Sequence, residues 1–229
     1  MSRKVFTAGE VLAAADVNSF LMDQTVMSFA GTAARGSAIP SPVNGMTTYL
    51  EDTKDLRIYD GSAWQSPFGS TLIAKQSFSG VSTVSFNNIF TAQYQNYEIY
   101  ASYRGTVRTQ YVFRFRASGS DNSTSNYNHS TTIGYNSTTI PTHTAGGSQF
   151  LMGTINTGDR RNFTKTTISN PGTTGLTKNY TYQAFDFDGN CQVFNGGGNF
   201  EGTGLFDGFS MFPSSGLATG EIYVYGMRV

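Results

Sequence analysis

Alternation of apolar and polar positions runs through most of the chain. In Tyr111-Val112-Phe113-Arg114-Phe115-Arg116 the odd positions are aromatic and both arginines are even. A strand here buries one face and turns the other to solvent or an interface. Tyr97, Ile99, Ala101 and Tyr103 repeat the pattern just upstream. The same reading predicts strands near Leu72 to Phe78, Tyr97 to Tyr103, Tyr111 to Ala117, Thr131 to Tyr135, Gln149 to Ile155, Lys165 to Ser169, Tyr180 to Phe187, Cys191 to Phe194, Gly208 to Phe212 and Glu221 to Met227. Antiparallel runs at this spacing make a two-sheet β-sandwich of jelly-roll type. The last strand is tied down by its ladder, so removal of Ile222 onward is expected to unfold the domain and not merely trim it.

The first third of the chain has a different texture. In GMTTYLEDTKDLRIYDGSAW, from Gly45 to Trp64, two apolar-alternating runs flank a polar break, and Asp60-Gly61-Ser62 turns the chain toward Trp64. This predicts a small β meander, with Met46, Thr48 and Leu50 on one face and Leu56 and Ile58 on another. Upstream, Val17, Phe20, Leu21, Gln24 and Met27 fall at helical spacing and predict a helix from about Ala13 to Met27. Its single apolar stripe packs either on the chain's own meander or against sister chains or a docking partner. Gly31 to Ala38 is a small-residue segment, and Ile39-Pro40-Ser41-Pro42 forces extended backbone before the meander. Gln65 to Ser70 has linker composition, which places a boundary between an N-terminal helix-and-meander module, residues 1–69, and a β-sandwich, residues 70–229.

Composition narrows the function classes. Lysine plus arginine equals aspartate plus glutamate at 15 each in 229 residues, and only 13% of positions are charged, against roughly 25% in a typical soluble domain. Nucleic-acid binding through bulk charge is disfavoured, because phosphate contacts need concentrated Lys and Arg. No apolar run of about 18 residues is present to insert into a membrane. The N-terminus shows no secretory signal pattern, so synthesis in a cytoplasm is the expectation. With 26 glycines and 14% aromatic residues, the composition suits strands and turns. The single cysteine, Cys191, excludes an intrachain disulfide framework, and its expected state is a small buried hydrophobe.

Candidate chemistry is sparse. His129 and His143, the two histidines, stand in a polar stretch from Ser118 to Gly147 that reads as long loops with one strand. Neither has metal ligands nor a nucleophile-base partner at a recognisable spacing. Asp186-Phe187-Asp188-Gly189-Asn190 opens like a calcium loop but lacks the downstream glutamate, so a strand end with an Asp-Gly turn explains it more simply. Gly196-Gly197-Gly198 lacks the lysine and helix of a phosphate cradle. It reads as a flexible turn or as a place where chains approach too closely for side chains. Paired carboxylates for glycoside hydrolysis could arise among Asp159, Asp186, Asp188, Glu201 and Asp207, but no spacing singles out two. No enzyme activity, cofactor or metal is expected. Tyr127, His129, Tyr135 and His143, joined by Arg160 and Arg161, offer the aromatic faces and polar edges that stack on sugars or anchor protein contacts. The blander reading has the tyrosines capping the sandwich ends.

Phe6-Thr7-Ala8-Gly9-Glu10-Val11-Leu12, Ala15-Asp16-Val17-Asn18, Leu21-Met22, Ala33-Ala34-Arg35, Ile39-Pro40 and the Gly45 to Trp64 run, in this order, resemble the N-terminal module of tailed-bacteriophage tail-fibre and minor tail proteins. The likeness covers roughly the first third of the chain and departs at Ala13, where a hydroxyl side chain able to cap the helix is expected. Phe206-Asp207-Gly208-Phe209, Ser214-Ser215-Gly216 and Thr219 to Gly226 are similar to the closing strands of β-sandwich domains on virion proteins. The resemblance implies a virion protein, assembled in the host cytoplasm and exposed on the tail. It further implies a homotrimer, with Val17, Phe20, Leu21, Gln24 and Met27 at the oligomer or anchor interface. Its other partners would be tail or baseplate proteins and a host-surface saccharide or protein. A capsid decoration or head-fibre protein that binds no receptor is the alternative, and a glycan-cleaving tailspike a third.

Overall fold

A computed structural model describes residues 8–11, 13–15, 25–67, 69–135, 138–157, 161–175, 177–187 and 191–227. The protein is mainly β and forms two compact units, Met1–Gly69 and Ser70–Val229.

In the smaller unit, β1 (Val26–Phe29) is followed by helix α1 (Thr32–Ala38) and strands β2 (Thr47–Leu50), β3 (Asp55–Tyr59) and β4 (Trp64–Gln65). The meander is the antiparallel β2-β3-β4, with Met46, Thr48 and Leu50 buried together. Asp60 shapes its last turn. It accepts hydrogen bonds from Ala63 N at 2.8 Å, Ser62 N at 2.9 Å and Gln65 Nε2 at 2.8 Å, which hold its carboxyl well below the usual range. Gly61 then takes φ +98°, a conformation that glycine adopts at little cost. Arg35 of α1 is buried with its guanidinium 4.4 Å from the centre of the Trp64 ring, a cation–π contact.

The helix read from Ala13 to Met27 does not extend that far. Ala14 and Ala15 are helical, but Val17, Phe20, Leu21 and Gln24 lie outside the described residues. Met27 stands in β1, which pairs in parallel with β2. Val26-Met27-Ser28-Phe29 alternates with period two as well as fitting a helical stripe, and the open edge of β2 decides between them. The small-residue segment, conversely, contains α1.

The larger unit holds β5 (Ser70–Val81), β6 (Val84–Phe86), β7 (Asn96–Gly105), β8 (Thr109–Ala117), β9 (Ser120–Asp121), β10 (Tyr127–Tyr135), β11 (Thr138–Gly147), β12 (Phe150–Ile155), β13 (Asn162–Ser169), β14 (Lys178–Phe187), β15 (Cys191–Phe200), β16 (Gly208–Pro213) and β17 (Ala218–Met227). One sheet runs β11-β10-β15-β14-β13-β7-β17-β5, and the other β12-β8-β16-β6 with β9 beside β8. Set aside β9, β10, β11, β14 and β15. The remaining eight strands, counted in chain order, pair as 1-8-3-6 and 2-7-4-5 with every neighbour antiparallel. This is a jelly roll. The insertions β10–β11 and β14–β15 lengthen one of its sheets past β13, and β12, the edge of the shorter sheet, lies against β14 and β10.

Aromatic side chains fill the interior. Phe115 stacks on Phe206 at 4.6 Å, Phe113 on Phe209 at 5.2 Å and Phe150 on Tyr180 at 3.9 Å, all of them buried. Truncating one such ring to alanine typically costs about 3–5 kcal/mol. All ten strands anticipated from alternation are present. The stretch between Ser118 and Gly147, read as long loops with one strand, holds three: β9, β10 and β11. The triple glycine lies inside β15, where a Cβ on Gly198 would come within 1.9 Å of Asn128 O and one on Gly197 within 2.9 Å of Tyr180 O. Of its two readings, close approach of neighbouring chain is the one the fold uses. Cys191, expected to be buried, is exposed, because it opens β15 at the hairpin end of the long sheet.

Candidate functional site

Strand pairing builds an exposed polar and aromatic face on the long sheet. Odd positions of β13 and β14 and even positions of β7 point away from the core, so side chains distant in sequence line up in rungs. One rung crosses four strands as Tyr100, Lys165, Gln183 and Asn195. Beside it run Glu98, Thr167, Thr181 and Gly197, and on the other side Ser102, Phe163, Phe185 and Val193. A hollow lies along these rungs. The hollow has a volume of about 310 Å³ and is lined by Lys165, Thr167, Thr181, Gln183 and Asn195, with Tyr182 and Gly196 at its base. A second hollow of about 250 Å³, lined by Ser70, Glu98, Tyr100 and Tyr225, lies on the same face.

Between the two hollows stands a fixed charge pair. Lys165 Nζ is 2.8 Å from Glu98 Oε1, and the Tyr100 hydroxyl donates to Glu98 Oε2 at 2.8 Å. Burial pushes the Glu98 carboxyl upward, but the bonds from Lys165 and Tyr100 outweigh it and hold the group below its ordinary value. The same bond to Glu98 raises Lys165. Tyr100 meets Tyr225 edge-on at 5.7 Å and Phe163 at 6.2 Å. Phe163 and Phe185 sit directly opposite each other and remain 39% and 49% exposed. Such partly solvated rings beside hydroxyls and amides suit a ligand with an apolar face and a polar rim. From β17 to β15 the face spans four strand spacings, about 19 Å, longer than one sugar ring.

The residues chosen from sequence are not brought together here. Tyr127 is fully buried. Its hydroxyl donates to Asn122 O at 2.8 Å and accepts from Phe115 N at 3.1 Å, and its ring meets Phe150 at 4.8 Å, so it is core and cannot meet a ligand. The polar neighbours that made it look like a loop residue are the exposed alternates of β10. His129 is 8% exposed on β10 and lines a separate cleft. His143, on β11, is exposed and stands opposite Ser130. Tyr135 ends β10, Arg161 is exposed just before β13, and Arg160 lies outside the described residues. Lys165, Gln183, Asn195 and Phe185 were missed because their grouping depends on the pairing of three strands.

Burial, and secondarily the charge of His143, lowers the His129 imidazole. The folded form therefore resists a proton that the unfolded chain accepts near pH 6.5, and stability is lost as pH falls below that value. The expected result is a urea midpoint that drops more steeply between pH 7 and 5 in the native chain than in His129→Gln. Equal slopes would assign the acid sensitivity to other groups.

Among the described residues, no group of three His, Cys, Asp or Glu side chains is placed to hold a metal, and no helix is long and apolar enough to cross a membrane. Scans against protein-family models, curated proteins and solved structures gave no significant match.

Proposed function

We propose that the protein is a bacteriophage tail fibre or tail-tip component that attaches to the virion through residues 1–69. Its jelly roll presents the outer face of the long sheet to a host-surface saccharide. The observation that carries the reading is the Tyr100-Lys165-Gln183-Asn195 rung, with its hollow of about 310 Å³ and the exposed Phe163 and Phe185 beside it. Rings stack on the apolar faces of sugars, while amides, hydroxyls and one lysine meet the hydroxyl rim. The balanced Glu98–Lys165 pair leaves the face without a strong field, as an uncharged or mixed polysaccharide requires. The order of N-terminal motifs supports the virion context, and a homotrimer is part of the same proposal.

Phe163 and Phe185 are exposed, so the double variant Phe163→Ala/Phe185→Ala should melt within a few degrees of the native chain. Loss of two stacking anchors should weaken binding to bacterial surface polysaccharides at least tenfold, a change of about 1.4 kcal/mol. Undiminished binding by the double variant would move the receptor contact elsewhere. Attachment to assembled capsids, with no saccharide bound, would favour the decoration protein.

A further inference from the structure

The cleft that contains His129 is separate from the outer face of the long sheet and has its own chemistry. Val112 and Leu151 sit opposite each other on β8 and β12 and are buried, 1% and 9% exposed. They line the cleft with Gln110 of β8, His129 of β10, Thr144 of β11 and the Ser148-Gln149 connection; the volume is about 220 Å³. Arg114 pins that connection, donating from Nε to Ser148 O at 3.1 Å and from a terminal nitrogen to Gln149 Oε1 at 3.0 Å. The Gln149 amide is thereby oriented with its NH₂ left to donate, so the wall is ordered before any ligand arrives.

His129 Nδ1 is buried without a hydrogen-bond partner among the described residues. A bare acceptor nitrogen is cheaper to bury than an orphan N–H, so we assign the proton to Nε2, which makes that nitrogen the ring's donor. An imidazole sealed on one side and offering a donor on the other is costly for stability alone. The lining contains no carboxylate and no ammonium group.

We propose that this cleft is a second ligand site, for one uncharged hydroxyl-rich ring of the pyranose class. The remaining exposed edge of Leu151 would lie under the ring's C–H face, while His129, Gln110, Gln149 and Thr144 would take its hydroxyls. The site is independent of the tail-fibre reading and of the sheet's outer face.

The test is a titration of the full ¹⁵N-labelled chain with methyl α-glucopyranoside, methyl β-galactopyranoside and N-acetylglucosamine. The His129 ring nitrogens report the cleft, and the Gln183 and Asn195 side-chain amides report the outer face. At least one sugar should shift the His129 Nε2 resonance saturably. Gln110→Ala, at an exposed position, and Thr144→Ala, at a partly buried one, should each weaken that binding by about two- to tenfold. The proposal is overturned if none of the three sugars gives a saturable shift at tens of millimolar, if only the outer-face amides respond, or if both variants bind as the native chain does.

Discussion

A chain ending at Glu221 will show no cooperative unfolding transition in its larger unit. Strand β17 is the second strand from one edge of the long sheet, hydrogen-bonded to β7 on one side and β5 on the other. Removing Ile222 onward strips the pairs of six of the ten β17 residues from both ladders at once and leaves β5 held only through Ala218 to Glu221. Ile222 and Val224 are fully buried, and each contributes about 1.5–3 kcal/mol by burial alone. Their loss also uncovers Tyr97, Ile99 and Ala101 on β7. Domains of this kind hold only about 5–15 kcal/mol in total, so the lost burial, added to the lost ladder pairs and the newly exposed core, consumes most of that margin. Far-ultraviolet circular dichroism during heating is the measurement. A sharp transition near that of the full chain would show that β17 is dispensable, contrary to the role given it here.

The second large effect is at Asp186. Its carboxylate is 3% exposed and accepts hydrogen bonds from Thr154 Oγ1 and Asn156 Nδ2, with an Arg108 nitrogen 3.8 Å away. The arginine is 47% exposed and is screened, so it adds little. The neutral donors matter more, because each left unpaired in a buried site costs about 1–3 kcal/mol. Asp186→Ala should therefore destabilise the unit by about 3 kcal/mol, and Asp186→Asn, which keeps one acceptor, by less. For a unit of this size the alanine variant should melt about 6–12 °C lower. A loss below 0.5 kcal/mol in denaturant titration, on the scale of ordinary surface substitutions, would mean that water takes over the carboxylate's bonds. Of Asp186-Phe187-Asp188-Gly189-Asn190, the last three residues lie outside the described residues, and the Asp186 oxygens are engaged by Thr154 and Asn156.

How far the sequence reached follows from where side chains carry a signal. In β7, β8 and β17 one face is wholly apolar, and period two is visible from the residues alone. β15 was read only as far as Phe194 because Gly196, Gly197 and Gly198 have no side chains to alternate, although the close approach of Asn128 and Tyr180 is why no larger residue stands there. β11 was missed because it is the sheet edge, exposed along most of its length, and contains Pro141, which an edge tolerates. Tyr127 and His129 were placed on loops because their inward partners lie on other strands: Tyr127 meets Phe150 and Phe200, more than 20 residues away in sequence. The proposed binding face depends on register. Nothing local in Lys165, Gln183 or Asn195 announces that they share a rung.

The central claim is that the outer face of the long sheet reads a host saccharide. It is tested most directly by probing an array of bacterial surface polysaccharides with the labelled full chain and with Gln183→Ala/Asn195→Ala, which removes two amides from the hollow's rim and leaves the core untouched. The expected result is saturable binding of the native chain to a restricted set of glycans, reduced about tenfold or more in the double variant. Binding that is identical in the two proteins, or no glycan bound by either, would contradict it.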